Sequence, residues 1–549
     1  MKLVTYLIAV ISLLVVFVSC KDNDDTEPPI PRNFALTNIS LDGRPLSFVY
    51  ASTSIQPEIK LSFDAPIDHE SALANITMGR GTGPLALNIT FEKGDSTIVI
   101  KPVKPLNYLT TYSLFVSTAL ASQKEQLYGS TIDIKVVTTY DPADKFPSIS
   151  DDALFDLVQE KTFRYFWDFA HPASGMARER NSSGNTVTTG GSGFGLMAII
   201  VGIEREIITR AEGVERLDKI LAFLETADRF HGAWPHWVDG QTGKVIPFSA
   251  NDNGGDLVET SLLVQGLIAF RQYLHPENEN EQALIDRINV LWKGVEWDWY
   301  TKGNEKVLYW HWSPDKAWSM NLQIRGANEC LITYVLAAAS PEHSIDADVY
   351  TEGYARNGNI RNGKKFYDIT LPIGSDYGGP LFFTHYSFLG LNPKNLKDQF
   401  ADYWEQNVNH SKINYAYCVD NPKNYAGYGE DCWGLTASDN YNGYSAHSPT
   451  NDLSVISPTA ALSSFPYTPE ESMRAMKFFY YKLGDKLFDD YGFYDAFSLE
   501  RGWIANSYLA IDQGPIIVMI ENHRTQLLWN LFMSAPEVQA GLTKLGFTY

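Results

Sequence analysis

Acidic residues recur in this chain where apolar helices should begin. The stretch Asn251–Leu274 opens with Asp252, Asp256 and Glu259 among glycines, then places Leu262, Leu263, Gly266, Leu267 and Phe270 at helical spacing. Glu329 ends Gly326-Ala327-Asn328-Glu329 ahead of a second apolar run, and Asp512 begins Asp512-Gln513-Gly514-Pro515 ahead of a third. Two readings are open. Asp256 followed by Glu259 is a capping-box pattern that merely satisfies backbone N–H groups, and Glu329 reads equally as a first-turn acid serving the helix dipole. The chemical alternative is hydrolysis of a glycosidic bond, which takes one protonated and one ionised carboxyl group flanking that bond. Several acids on one rim drive their pKa values apart through repulsion and burial. A helix N-terminus favours the anion and so suits a base; an acid there keeps its proton only if desolvated or crowded by other carboxylates.

The loops ahead of these helices carry side chains suited to sugars. Trp234, His236 and Trp237 precede the first, Trp310, Trp312 and Trp318 the second, and Trp503 the third, with Trp433, Tyr441 and Tyr444 in a Gly- and Tyr-rich loop. Any one of these tryptophans is more readily a packing residue; their concentration on loops is what points to stacking. Arg178, Arg180 and Arg325 are further candidate contacts.

Convergence of distant acids depends on the elements that carry them. Helical patterns cover 151–170, 191–209, 213–230, 256–274, 280–297, 325–339, 346–357, 381–390, 397–410, 454–464, 469–484 and 514–533. About twelve helices in roughly 400 residues fit an all-α (α/α)6 toroid, whose parallel inner helices bring their N-termini to one rim; no short fixed period suggests a solenoid. Segments 256–274, 325–339 and 514–533 are poor in charge beyond their first turns, as inner helices should be. Residues 33–140 differ: Ile59–Phe63, Thr97–Ile100 and Tyr112–Val116 alternate as strands, and about seven strands over this length predict an all-β Ig-like sandwich. The chain is thus multidomain, a sandwich at 33–140 followed by the helical domain at 141–549.

With 44% hydrophobic and 20% charged residues the 549-residue chain is globular, and a net charge of −21 leaves no basic surplus for nucleic acid. A neutral partner fits better than a polyanion. Lys2 and the apolar run Leu7–Val18 ending at Ser19-Cys20 resemble a bacterial lipoprotein signal over 1–20, with Cys20 lipidated and 21–32 a polar tether. That places the expected protein in the cell envelope, lipid-anchored. Cys418 and Cys432 bracket a loop, a spacing that leaves a disulfide undecided, and no CxxC or HExxH pattern calls for a metal.

From about residue 147 to the C-terminus the chain resembles glycoside hydrolase family 144, the glucoamylase-like family. The matching stretches are Gly191–Leu196, Asp252–Leu263, Cys432–Asp439, Pro458–Ala461 and Asp512–Pro515. The resemblance implies the (α/α)6 fold and inverting hydrolysis of β-1,2-glucan without cofactor or metal, by endo- or sophorose-releasing exo-action. It implies Glu329 as general acid and Asp512 as general base, with Asp495, Glu500 and Glu521 close to the latter in sequence. Asp252, Asp256 and Glu259 match a family triplet and are expected to hold glucose hydroxyls, with protons free to travel through a substrate hydroxyl or water. A monomer is expected. The rival readings are a polysaccharide lyase, which the acidic charge disfavours, a non-catalytic glycan-binding lipoprotein, and a glycosidase for another β-glucan.

Overall fold

The computed structural model describes residues 33–81 and 83–549; the expected signal, tether and Cys20 lie outside them. These residues divide into two compact units, 33–47, 58–103 and 114–133 in one and 48–57, 104–113 and 134–549 in the other. The N-terminal strands form two four-stranded sheets. One has the order 36–41, 59–63, 97–102, 87–92 and the other 49–53, 132–138, 111–116, 76–79, with 49–53 and 132–138 parallel. Alternation dictates their faces: in Ile59–Phe63 the residues Ile59, Leu61 and Phe63 are buried while Lys60 and Ser62 are not.

The rest is helical, joined by loops and two-stranded hairpins. Helix Thr189–Glu204 is buried from Thr189 to Gly202, helix Leu257–Tyr273 from Leu257 to Arg271, and helix Leu331–Ala339 throughout. Helices apolar on all sides belong at the centre of a domain. They pack in sequence: 331–339 on 257–273, that on 189–204, that on 510–524, and that on 458–462. Helices 151–167, 210–224, 279–293, 469–477 and 536–544 each pack on one or more of these, with their polar faces outward. Close approach of the two central helices is set by glycine. A Cβ on Gly193 would lie 2.2 Å from the Leu262 carbonyl oxygen, and one on Gly266 2.1 Å from that of Gly193.

Several expected helices take other forms. The 325–339 helix begins only at Leu331, because Gly326 holds φ +84° and 326–330 turn instead. Segment 381–390 is two 3-10 turns and 346–357 a π-turn followed by a 3-10 turn. The pattern at 397–410 is displaced to Tyr403–Asp420, whose start is fixed by Asp402 accepting the Trp404 and Glu405 N–H groups. The 514–533 segment breaks at Gln526, φ 62°, and a further helix, Pro536–Lys544, follows it. No described helix is long and apolar enough to cross a membrane.

Candidate active site

A cavity of about 420 Å³ opens where the central helices begin. Its wall comes from widely separated parts of the chain: Glu179, Arg180 and Thr188; His236, Trp237 and Phe248; Val258, Glu259 and Leu262; Trp310 and Glu329; Phe382 and Tyr386; Ala437 and Tyr444; and Leu509 and Ile511. A space of this size, mostly apolar with a few polar groups, suits a small organic ligand.

Asp256 is the pivot of one side. It caps helix Leu257–Tyr273, its Oδ1 accepting the Val258 and Glu259 N–H groups at 3.0 and 2.9 Å. Its Oδ2 faces His236 Nδ1 at 3.0 Å and His311 Nε2 at 3.5 Å, and Asp252 Oδ2 lies 3.2 Å from the same His311 nitrogen. Strand pairing of Gly255–Asp256 with His311–Trp312 sets this register. Burial alone would lower both imidazoles, but Glu259 and Asp256 for His236, and Asp252 and Asp256 for His311, raise each to about 9. Both are therefore cations at neutral pH, and hydrogen bonds from the two hold Asp256 far below the usual carboxylate range in spite of burial. His236, Asp252 and Asp256 offer ligand atoms within 4.8 Å of one another, enough for a divalent cation, but a metal would have to displace those protons. Glu259 does not return to its own N-cap. Its Oε2 takes the Gly190 N–H at 2.7 Å, an approach possible because a Cβ on Gly190 would sit 2.7 Å from that oxygen.

Glu329 lines the same cavity, in the turn before helix Leu331–Ala339. Burial, then the charges of Glu259 and Asp256, push its carboxyl up to about 7. Asp512, in the first turn of helix Ala510–Arg524, is 1% exposed, just behind the wall made by Leu509 and Ile511. Neither of its carboxyl oxygens has a protein hydrogen-bond donor. Burial and the carboxyl of Asp495 raise it well above the ordinary aspartate value. Asp512, Glu329 and Glu259 all bear electrostatically on the buried hydroxyl of Tyr386. Glu259 and Glu329 thus share the cavity wall with Tyr386, while Asp512 follows the wall residue Ile511.

This arrangement has relatives. A family model described as "Putative glucoamylase" matches residues 321–536, one for a bacterial Ig-like domain matches 49–138, and one for a protein of unknown function matches 158–257. An endo-β-1,2-glucanase from Chitinophaga pinensis, solved with sophorotriose and glucose, is 58% identical, with a TM-score of 0.72 over 73% of this chain and 99% of that one. The chain belongs to glycoside hydrolase family 144. A β-1,2-glucanase from Parabacteroides distasonis, 39% identical, aligns over 93% of this family-144 chain and 73% of its own, with a TM-score of 0.71. An exo-β-1,2-glucooligosaccharide sophorohydrolase of the same organism is 48% identical over 419 residues, 72% of this chain; the match spans 58% of that relative.

Not every expected residue reaches the cavity of the family-144 domain. Glu329, Glu259, His236, Trp237, Tyr444 and Arg180 line it. Asp256, Asp252 and Asp512 do not; they are 0%, 4% and 1% exposed, and the first two meet the His236 and His311 imidazoles. Trp234 and Trp433 are fully buried, their indole N–H groups donating to the Leu224 and Glu471 carbonyls, so both are packing residues. Trp312 and Trp318 gather with Trp299 in an aromatic group outside the cavity wall. Arg325 is exposed and bonded to Gln323 and Glu352, Trp503 sits in a hairpin against Tyr441, and Arg178 covers Phe169. Cys418 and Cys432 are buried free thiols. Glu179, Phe248, Phe382 and Tyr386 join the wall without a signal in the sequence, since a single aromatic or acid in a loop carries no periodicity; His311 is masked by the tryptophans on either side of it.

Proposed function

We propose that this chain hydrolyses β-1,2-glucan by an inverting mechanism on two carboxyl groups, releasing sophorose or short sophorooligosaccharides. The observation that carries the reading is that Glu259 and Glu329 line a sugar-sized cavity and that the buried Asp512 follows Ile511, a residue of its wall. Glu329, neutral up to about pH 7, donates the proton to the departing glycosidic oxygen. Asp512 accepts a proton from the attacking water, directly or through a sugar hydroxyl, and its oxygens are not engaged by protein donors. Glu259 and the His236 imidazolium offer hydrogen bonds to glucose hydroxyls, and Trp237, Phe248 and Tyr444 offer faces for its rings. The choice of a β-1,2 linkage is supported by what the relatives are named for.

The helical part reads as an (α/α)6 toroid: inner segments 189–204, 257–273, 331–339, 381–389, 458–462 and 510–524 each have an outer partner among the remaining helices. The domain division keeps a sandwich at 33–140 and the catalytic part at 141–549. We further propose that the chain works as a lipid-anchored monomer in the cell envelope, acylated at Cys20. Cys20→Ser should move it from the membrane to the soluble fraction; membrane retention would remove the anchor.

Chromatography of products from linear β-1,2-glucan tests the activity. Sophorose and short sophorooligosaccharides are expected, and Asp512→Asn should lower turnover about a hundredfold or more with the fold intact. Binding without new reducing ends, an unsaturated product, or cleavage of a different β-glucan alone would each replace this reading with one of its rivals.

A further inference from the structure

Of the 13 tryptophans, Trp299 is the most exposed, at 39%; the others are buried or partly buried, as this side chain usually is. It opens a 3-10 turn, Trp299–Thr301, and its N–H donates to the Asp298 carboxylate at 3.0 Å. One face of the indole lies on His231, with ring centroids 3.7 Å apart and planes 14° from parallel, and Glu296 holds that imidazole at 2.8 Å. Trp312 meets both rings edge-on, 4.7 Å from His231 and 5.8 Å from Trp299. Trp318 stands 6.5 Å from Trp299 and 29° from parallel, itself held edge-on by Tyr300 and Tyr309. The exposed indole is thus braced from behind and beside. Polar groups adjoin it: the Asp298 carboxylate, and Lys302, which bonds Asn321 at 2.7 Å.

This group lies on the same rim as the cavity. Helix Leu257–Tyr273 begins there, with Val258 and Glu259 in the wall; after a short connection helix Glu279–Lys293 packs back along it and so ends on that rim, just before Trp299. Trp310 lines the cavity and precedes Trp312 by two residues, about 7 Å of extended chain. Open apolar surface rimmed by polar groups marks a binding surface. An indole face with hydrogen-bonding groups at its edge suits a pyranose, which is apolar on its C–H face and polar around its rim. The exposed carboxylates of Asp298 and Asp315 disfavour an anionic partner.

We propose that Trp299, braced by His231 and flanked by Trp312 and Trp318, is a second glucan-binding surface on the cavity rim, holding a linear β-1,2-glucan chain beyond the units seated in the cavity. The surface deepens the reading of β-1,2-glucan as substrate and rests on it. A polymer is then gripped in two places, and an oligosaccharide that fits within the cavity in one. No reacting atom is touched by Trp299, so its contribution is to capture of the polymer and not to bond breaking. Continuity with the cavity through Trp310 and Trp312 is what selects the same glucan as occupant over an unrelated partner.

The test takes two measurements on the full chain. Initial rates of wild type and Trp299→Ala are compared on linear β-1,2-glucan and on a short sophorooligosaccharide. Loss of the indole should raise KM severalfold on the polymer with kcat little changed, and leave both constants on the oligosaccharide as they were. Electrophoresis through gels containing soluble β-1,2-glucan reads binding without turnover: Glu329→Gln should be retarded, and the same protein with Trp299→Ala retarded less. Trp299→Phe keeps a ring and should recover part of the retardation, and Trp299→Gln reads the same loss if the Ala variant does not fold. An unchanged KM on the polymer, an equal change on polymer and oligosaccharide, failure of both ring-less variants to fold, or a Trp299-dependent retardation by β-1,3-glucan alone would overturn the proposal. Absence of any product from wild type on β-1,2-glucan would instead be the failure of the activity reading, and the gels would still judge the surface.

Discussion

Replacing Glu329 by Gln should stabilise the folded protein at alkaline pH while abolishing its turnover. The side chain sits at a cavity wall where burial, Glu259 and Asp256 raise it from the ordinary 4.5 to about 7. At 1.36 kcal/mol per unit, that displacement corresponds to at most about 3 kcal/mol. The sign follows from proton binding. The folded state holds this proton more tightly than the unfolded chain, so the contribution is full below 4.5 and is lost as pH rises through about 7. Above that pH the wild type carries an ionised carboxylate in a poorly hydrated place, and the neutral amide does not. Urea and thermal unfolding near pH 4 should therefore give closely similar stabilities for the two proteins. Near pH 8 the variant should be more stable by up to about 3 kcal/mol, a rise in Tm on the order of 5 °C. Reducing-end release from β-1,2-glucan should fall about a hundredfold or more. A variant less stable than wild type near pH 8, or offset equally at both pH values, would refute the raised carboxyl and with it the case for Glu329 as acid.

Three other outcomes follow from the geometry. Gly193→Ala places a Cβ 2.2 Å from the Leu262 oxygen, more than 1 Å inside ordinary contact, and should cost about 2–3 kcal/mol in unfolding measurements, whereas Gly429→Ala, with nothing within 4 Å, should be nearly neutral. His311→Gln removes an imidazolium raised to about 9 by Asp252 and Asp256, so it should destabilise by about 2–3 kcal/mol near pH 6 and much less near pH 10, since that contribution is lost as pH rises through about 9. Phe248 stacks on His236 at 4.2 Å and is 47% exposed on the cavity wall; Phe248→Ala should raise KM severalfold with kcat little changed, read from initial rates on sophorooligosaccharides.

The central helices were legible because their patterns are strong and local. Asp256 before Leu262, Leu263 and Gly266 announces both an N-cap and a buried helix. What that pattern could not reveal is the far partner of each side chain. Glu259 follows the capping-box spacing, yet its carboxylate goes to Gly190, sixty-nine residues away, because the fold brings that N–H closer than its own N-cap. In the sequence Trp234 and Trp433 stand between helical patterns as Trp237 does; only burial against Arg229 or under Glu471 separates packing from cavity wall. Asp495 was legible only as a neighbour of Asp512 in sequence, since the Asp439 and Ser507 contacts that hold it come from two other loops. The turns at 326–330 and 381–389 replaced expected helices because tertiary contacts, among them the Ser387 hydroxyl on the Glu329 carbonyl, satisfy the backbone there.

The measurement closest to the central claim is a time-resolved proton NMR spectrum of the first products from linear β-1,2-glucan. Water delivered by Asp512 to the face opposite the proton from Glu329 predicts that the new reducing end appears first as the α-anomer and mutarotates afterwards. First appearance of the β-anomer would mean a covalent intermediate, and Glu329 and Asp512 could not then hold the roles of acid and base in a single displacement.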